Sequence, residues 1–583
     1  MPKSSDKRVA PPLNRVPAKD TTASSVSQEF VLNDEGLHAR AADGSHSLVC
    51  SPLQWKSFVT DINGGQPAHL VEVTTITGSQ TVEIQAGLLL KPKKLLEFLI
   101  NAGVGFPPAG EAAARQLARW FASFGRATHI VRVERDGWIA WQGGDAYIYG
   151  HKMYGPNGAT PVRRTTQPTT SQRGSLENWL TITRNLAGNP ILVAAACFAF
   201  ASALLKPFGH QSFIVAFVGP SGIGKSTALR LAMALMTEPP VGLPTWDGTR
   251  AGLIAAAREH SDMPFILDEI GQAQVQDLGA LIYSFGNGAT RQRATSDGRL
   301  AAAAPVSTVT LVSGEVSTFE LMRTAGHSPN GGQVARCITI PAGSSSAGVV
   351  ENLHGKRDSE NFVQRLNNSL RAMHGIAWPL YVSHLAGNLE ALRTEYRQRR
   401  QEISDAIVEG SEFDRSNNVL PRVIGHFTLA AFAGLVATRA GVLDLTEEEI
   451  TSALRECFGR WLTTYVTLVK SPGQTIIEDL RALIASRKGE IIPYAQYMKK
   501  PDAFAYLYTA HGKEPKILIN LASFEDFRTR HGGLVFHKAL RASGLLPPVK
   551  PGSRETVTNQ KLVPDGSGRK VSFYEFRCAD FGL

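Results

Sequence analysis

The sequence contains few cysteines and few long apolar runs. Its five cysteines are far apart along 583 residues and lack the spacing of a metal site. We therefore expect reduced thiols in a cytoplasmic protein rather than a disulfide framework. No apolar signal core follows Met1, and the most apolar stretch, 191–205, is too short to span a bilayer. These features predict a soluble protein without a membrane partner.

Acidic residues are outnumbered by basic ones. The chain has 51 Asp and Glu against 61 Lys and Arg, for a net charge of +10. A basic chain favours a polyanionic partner such as nucleic acid, although many basic proteins bind none. With 43% hydrophobic residues the chain can form several packed domains, about three or four by ordinary domain size.

A glycine-rich turn follows the apolar run 213–218 and opens an amphipathic helix. This is the context of a phosphate-binding P-loop, in which backbone amides surround the β-phosphate. Lys225 would bridge the β and γ oxygens, and the Ser226 hydroxyl would hold Mg²⁺. The alternative is a turn that matches the pattern by chance. The predicted nucleotide-binding residues are Gly219, Pro220, Ser221, Gly222, Ile223, Gly224, Lys225, Ser226 and Thr227.

Two adjacent carboxylates end the short apolar strand 263–267. Asp268 would orient Mg²⁺, and Glu269 would polarise the attacking water. Beside a P-loop this pair predicts ATP hydrolysis, whereas an isolated pair would be read as a solvated strand end. The distance from Lys225 leaves room for intervening elements, so we expect the two motif strands not to be neighbours in the sheet.

A basic segment with a hairpin signal follows the carboxylates. It carries Arg291, Arg293 and Arg299, which predict contacts to DNA phosphates in the pore of a ring motor. The alternative is an exposed turn with solvated arginines.

Two further polar residues flank the next strands. Ser313 ends the strand 309–312, where a polar side chain would lie beside the γ-phosphate. Arg336 is badly placed for its own nucleotide but could reach that of a neighbouring subunit as an arginine finger, which predicts an oligomer. A structural ion pair is the alternative for Arg336.

Composition and pattern divide the chain into six segments. The aromatic residues of the second segment, such as Trp138 and Tyr147, suit a β core better than base stacking. Two strand-like runs after helices near the end suggest a winged helix, for DNA or for protein contacts. The segments are a disordered basic arm (1–28), an α+β accessory domain (29–150), a linker (151–174), a P-loop ATPase core (175–345), a helical lid (346–470) and a winged-helix-like domain (471–583).

These motifs together resemble an AAA+ helicase-like family of phages, plasmids and mobile elements, long filed as a domain of unknown function. The resemblance rests on 219–227, Trp246 with Thr249, 267–269, the hairpin 287–293, 313–315 and 331–336, and it covers about residues 30–465. It includes the replicative helicases of staphylococcal cassette chromosome elements, whose core is similar to superfamily 3 and minichromosome-maintenance helicases.

The resemblance implies an α/β fold with a P-loop AAA+ core, a parallel sheet sandwiched by helices. It implies an ATP-dependent, superfamily 3-like DNA helicase that uses ATP and Mg²⁺, forms a hexameric ring and binds single-stranded DNA during replication. It also supports Arg336 as the finger. Many related motors have Asn where this chain has Ser313, so Ser313 and Glu315 both stay open as the sensor.

Three other functions share the core motifs. A packaging-type motor would translocate on duplex DNA without unwinding it, and a nucleotide-switch scaffold would hydrolyse ATP slowly. A P-loop kinase of a small molecule would need an acceptor-binding acid and no arginine from a second subunit. The sequence leaves open the polarity of travel, DNA against RNA, the ring size and the loading partner.

Overall fold

The computed structural model describes residues 29–75, 78–108, 110–124, 129–165, 170–288, 306–327, 329–343, 348–413, 418–468, 472–531, 533–546 and 558–582. The chain divides into two compact units, 1–462 and 463–583. The basic arm predicted for 1–28 lies outside the described residues. All five cysteines are free and buried.

The front part of the first unit is built mainly of strands. A three-stranded antiparallel sheet contains β1 (Phe30–Asn33), β2 (Gly36–Arg40) and β3 (His46–Cys50). An eight-stranded mixed sheet has the order β6-β5-β4-β7-β11-β10-β9-β8. Its strands are β4 (Leu53–Asp61), β5 (Ala68–Thr75), β6 (Gly78–Gln85), β7 (His129–Val133), β8 (Gly137–Trp141), β9 (Gly144–Tyr149), β10 (Lys152–Gly155) and β11 (Gly158–Arg164). Helices α1 (Pro92–Asn101) and α2 (Gly110–Ser123) contribute Leu95, Leu117 and Phe121 to its core.

The linker predicted for 151–174 is wrong over its first half. Strands β10 and β11 form a hairpin inside the eight-stranded sheet, and β11 pairs in parallel with β7. The Gly, Pro and Arg content of this segment is typical of a linker. In the structure, Gly155 and Gly158 instead close the turn of the hairpin, and Val162 is buried. The accessory sheet therefore continues to Arg164.

A third sheet contains four parallel strands in the order β13-β14-β12-β15. They are β12 (Phe213–Val218), β13 (Phe265–Leu267), β14 (Val309–Gly314) and β15 (Cys337–Pro341). Strand β14 separates β12 from β13, as predicted for the two motif strands. Seven helices accompany this sheet: α3 (Leu176–Arg184), α4 (Pro190–Ala201), α5 (Lys225–Ala234), α6 (Arg250–Glu259), α7 (Val275–Asn287), α8 (Thr318–Thr324) and α9 (Gly331–Val334).

Local sequence signals explain the helix starts in this region. The Ser175 hydroxyl caps α3 by accepting from the Asn178 amide (3.3 Å), and Pro190 occupies the first turn of α4, whose missing amide donor costs nothing there. Every residue of α4 is buried. Trp246 is buried against Phe285, so it packs in the core.

Four helices follow the parallel sheet. They are α10 (Ser359–Ala372), α11 (Ala377–Val408), α12 (Leu420–Arg439) and α13 (Glu447–Leu468). Helix α10 packs on α5, and α12 packs on α4 and α11. Helix α12 is long and apolar enough to cross a membrane, but 78% of its apolar window is buried inside the protein. It is thus a central core helix of the first unit.

The accessory sheet is fastened to the parallel sheet by buried hydrogen bonds. The Trp138 indole donates to the Ala203 carbonyl (2.7 Å), and its amide donates to the Asp262 carboxylate (3.1 Å). The Tyr147 hydroxyl donates to the Asp262 carbonyl (2.7 Å). Trp138 is only 3% exposed. These aromatic side chains belong to the core, as the sequence favoured, because their polar ends all have protein partners.

The second unit is a five-stranded sheet with helices. Its sheet has the order β16-β17-β18-β20-β19. The strands are β16 (Ile491–Pro493), β17 (Ala505–Tyr508), β18 (Lys516–Asn520), β19 (Asn559–Leu562) and β20 (Lys570–Arg577), with helices α14 (Pro472–Ser486), α15 (Leu521–Arg530) and α16 (Gly533–Ala542). The predicted final hairpin is present as β19 and β20. The sequence missed β16 to β18, so this unit has more sheet than a hairpin wing alone.

Candidate active site

The glycine-rich loop joins the carboxyl end of β12 to the first turn of α5. Gly224 caps α5 with a φ of 95°, in the left-handed region that favours glycine. A Cβ on Gly224 would lie 2.6 Å from Val349 Cγ2, so a larger residue has no room. The loop therefore brings backbone amides to the start of a helix, an arrangement that suits a phosphate.

Lys225 is folded into this loop. It is 8% exposed, and its ammonium donates to the carbonyls of Gly219 (2.7 Å) and Pro220 (2.6 Å). Burial lowers the pKa of Lys225, and three nearby carboxylates oppose that shift: Glu315, Asp268 and Glu269. The lysine and the predicted acids therefore share one electrostatic environment.

The two acids follow β13 at the same edge of the sheet. Ser313, at the carboxyl end of β14, donates its hydroxyl to the Asp268 carboxylate. The same hydroxyl oxygen accepts from the Glu269 amide (3.3 Å). Ser313 therefore holds both predicted acids, because β14 is the direct neighbour of β13.

Glu269 adopts a backbone conformation that is rare for its residue type. Its φ is 54°, in the left-handed region, which costs roughly 1–3 kcal/mol for a residue other than glycine. Its carboxylate is exposed and accepts from the Gln272 side chain (2.8 Å). Such strain is concentrated at functional sites, where the fold holds a side chain in a required position.

A cavity of about 550 Å³ brings these residues together. It is lined by the loop, both acids, Ser313 and Glu315. Ser313 is 2% exposed and bonded to the acids, whereas Glu315 is exposed. Both open candidates for the sensor therefore lie at the cavity, and Ser313 is hydrogen-bonded to both acids.

Two lining residues were missed by the sequence analysis. Asn367, on α10, donates to the Thr227 hydroxyl (3.1 Å), and only the fold brings it across 140 positions of chain. Arg230 lies on α5 one turn beyond Ser226, so helical spacing could have indicated it.

Arg336 lies at the opposite end of the sheet. It immediately precedes β15, which runs parallel to β12, so it is at the amino end of a strand whose carboxyl end faces the loop. Its guanidinium donates to the Gly332 carbonyl (2.8 Å) and lies over the Tyr283 ring (5.4 Å to the centroid). Arg336 does not line the cavity around Lys225.

The predicted DNA-binding residues Arg291, Arg293 and Arg299 lie outside the described residues. The described residues on either side of them are joined, because the Val306 amide donates to the Gly288 carbonyl (2.8 Å). Gly288 and Val306 therefore lie side by side, close to the start of β14.

The donors at the cavity suit a cation that needs few protein ligands. Among the residues that the structure describes, no group of three or more His, Cys, Asp and Glu could hold a metal. Ser226 and Asp268 offer one hydroxyl and one carboxylate at the cavity. This set fits Mg²⁺, which usually keeps several waters and takes substrate phosphates as ligands.

Comparison with known proteins gives two likenesses. Residues 30–304 match the family described as a domain of unknown function, DUF927. That match includes the loop and both acids but ends before Ser313 and Arg336. The fold resembles a solved structure titled "SCCmec type IV Cch - active helicase", with a TM-score of 0.66 and 18% identity over 95% of this chain and 99% of that one. No curated protein matches by sequence.

The structural likeness shows a shared fold over nearly the whole chain. The protein is a mixed α/β protein whose architecture also occurs in a helicase. At 18% identity the likeness does not transfer activity, so the function has to be argued from the residues of the cavity.

Proposed function

We propose that this protein is an ATP-driven DNA motor, in particular a ring-forming replicative helicase of a mobile genetic element. The observation that carries the proposal is the cavity at the carboxyl edge of the parallel sheet, where Lys225, Asp268, Glu269 and Ser313 meet at a glycine-rich loop. The likeness of fold to a helicase supports the choice of a DNA motor over other P-loop enzymes.

Each residue of the cavity has a role that follows from its position. The loop amides and Lys225 bind the β- and γ-phosphates of ATP, and the strand-end acids face them from β13. Ser226 and Asp268 would hold Mg²⁺, which when bound neutralises charge on the β and γ oxygens. Glu269 orients the attacking water and accepts its proton. The Ser313 hydroxyl fixes the positions of Asp268 and Glu269 relative to each other.

The cavity has an arginine of its own, Arg230, whose guanidinium is already hydrogen-bonded. One terminal nitrogen of Arg230 donates to the Val241 carbonyl (3.3 Å). Arg336 would serve as the finger for the nucleotide of a neighbouring copy, because the amino end of β15 faces away from its own loop. Ring assembly, with six copies as the family resemblance implies, would bring the two ends together.

The test is the steady-state rate of ATP hydrolysis with and without single-stranded DNA. We expect DNA to raise the rate at modest salt, and the stimulation to fall as salt rises, because phosphate contacts are salt-dependent. A strand-displacement assay then separates a helicase from a duplex translocase. Robust hydrolysis that neither DNA nor RNA changes would contradict the motor proposal.

A further inference from the structure

A second cavity, of about 680 Å³, lies at the amino ends of β12 and β15. It is enclosed by the segment 208–212, the end of α9, helix α11 and the start of α12. Its charged lining residues are all basic: Arg336, Arg397, Arg400 and Arg422, with the imidazoles of His210 and His426 beside them. We call this cavity the arginine pocket.

Three arginines of the pocket have no ion pair in the part of the chain that the structure describes: Arg397, Arg400 and Arg422. Other arginines of the same helices are paired. Arg393 of α11 bonds Asp145 (2.9 Å), and Arg439 of α12 bonds Glu395 (2.6 Å). Asp405 lines an adjoining cavity that shares Arg397 and Arg400, but its carboxylate accepts from Gln401 (2.9 Å).

The guanidinium groups of the pocket lie close enough to two histidines to affect the pKa of each imidazole. Burial lowers the pKa of His210 to about 4, and Arg400 contributes to that shift. Burial lowers the pKa of His426 to about 3, with contributions from His210, Arg336 and Arg422. Both rings are therefore neutral at pH 7, and the Tyr396 hydroxyl and the His210 imidazole are hydrogen-bonded (3.0 Å).

The pocket also offers a polar group without a protein partner. The Nε of Arg336 is buried and has no hydrogen bond in the part of the chain that the structure describes, and the His426 ring nearby is 7% exposed. Helix α12 begins here at Leu420, so its amino end adds positive partial charge. Arg397, Arg400 and Arg422 are exposed, so water screens their mutual repulsion, and an anion that enters between them would be attracted by all three.

We propose that the arginine pocket binds a polyphosphate, with Arg397, Arg400 and Arg422 as its ligands and Arg336 at its inner wall. Guanidinium groups suit this ligand because their planar donors bond phosphate oxygens in pairs. The polyphosphate could be the triphosphate of a nucleotide in the cavity of a second copy, which rests on the proposed function, or a free polyphosphate. Both share the same chemistry.

The direct test is calorimetric titration of inorganic tripolyphosphate into the full chain carrying Lys225→Ala, which weakens the cavity at the other end of the sheet. Adding Arg397→Gln and Arg400→Gln should weaken tripolyphosphate affinity at least about tenfold, as expected for losing two charged phosphate contacts. The matched control is Arg40→Gln with Arg115→Gln, which removes the same charge from exposed positions of the accessory region and should change affinity less than about twofold.

An unchanged affinity in the Arg397→Gln, Arg400→Gln protein would overturn the proposal, as would an equal loss in the control or no binding by the parent. If the double variant does not fold, Arg422→Gln replaces it, with a loss of at least about threefold expected for one charged contact. The titration does not require ATP hydrolysis, so it tests whether the pocket binds tripolyphosphate even if the proposed function fails.

The source of the polyphosphate is decided by ATP hydrolysis in Arg397→Gln, Arg400→Gln protein with Lys225 intact. A nucleotide on a second copy predicts at least about a tenfold lower rate per chain with ATP binding retained. A free polyphosphate predicts the parent rate. Either result identifies the source, provided that the titration has shown the pocket to bind tripolyphosphate.

Discussion

The two ends of the parallel sheet carry opposite chemistry. At the carboxyl end, Lys225 lies among three carboxylates beside a loop that suits phosphates. At the amino end, the arginine pocket has four guanidinium groups and no carboxylate among its lining residues. The six residues of β12 separate these ends by roughly 20 Å.

Under the proposed function, neither end is complete by itself. The carboxyl end would bind and polarise a nucleotide, while the arginine at that end, Arg230, is hydrogen-bonded to the Val241 carbonyl. The amino end would supply cations that stabilise the transferred phosphate. Because all strands are parallel, every chain presents both halves on opposite edges, and a head-to-tail ring would join them.

Arg336→Ala should have the largest effect. We expect ATP hydrolysis to fall by about 10³-fold, the scale on which an arginine finger stabilises transferred phosphate. ATP binding should be nearly unchanged, since Arg336 does not line its own cavity. The rate and a nucleotide-binding titration check this. Arg184→Ala, at an exposed arginine paired with Asp444, is the control and should stay within about twofold.

Glu269→Gln tests the carboxyl end. The amide keeps the shape of the side chain but cannot accept a proton, so hydrolysis should fall by about 10²-fold or more while ATP stays bound. The measurement is single-turnover hydrolysis together with ATP affinity. Glu238→Gln, at an exposed position outside the cavity, should leave the rate unchanged. Normal turnover in Glu269→Gln would remove this residue as the general base.

The ATP hydrolysis rates of Ser313→Ala and Glu315→Gln, compared with each other, test which residue acts as the sensor. Removing the Ser313 hydroxyl breaks one hydrogen bond to the Asp268 carboxylate and one from the Glu269 amide. We expect hydrolysis to fall by about tenfold or somewhat more, on the scale of a hydrogen bond to a charged group. Glu315→Gln should have a smaller effect because Glu315 is exposed. The reverse order would assign the sensor to Glu315.

The amino end should also show a pH dependence of stability. The folded-state pKa values of His210 and His426 are lowered to about 4 and about 3, so both rings must stay neutral for the fold. The contribution of the two neutral rings to the free energy of unfolding is fully present above pH 6.5 and is lost as the pH falls toward 4. For each ring, the free energy of unfolding changes by at most about 1.4 kcal/mol per pH unit.

Urea unfolding of the parent and of His426→Gln between pH 7 and pH 4 checks this slope. The variant should be less stable at pH 7 and should lose less stability on acidification. A parallel loss in both proteins would show that His426 is not the group that titrates.

The sequence predicted the cavity at the carboxyl end better than the pocket at the amino end. The loop and the acids are contiguous motifs, so the residues that act together are neighbours in the chain or end adjacent strands. Asn367 was not predicted, and Arg336 was predicted without the other arginines of the pocket. Their members come from segments far apart, and only the packing of α11 and α12 brings Arg400 close to Arg422.

The fold shows the same limit. The α4 helix, the α6 helix and the final hairpin follow from caps, apolar runs and turn residues that act locally. Strands β10 and β11 were missed because their few apolar residues, such as Met153 and Val162, stand among Gly, Pro, Lys and Arg, and pairing with β9 and β7 holds them in the sheet. A linker composition is therefore compatible with a strand when a neighbouring strand supplies the partners.

The most direct test of the account is to mix two inactive proteins, Lys225→Ala and Arg336→Ala. In a mixed ring, some interfaces pair an intact cavity from one protein with an intact Arg336 from the other. Random mixing of equal amounts gives about a quarter of such interfaces, so we expect roughly that share of the parent rate of ATP hydrolysis. A mixture no more active than its separate parts would contradict the claim that the two ends of the sheet act together across copies.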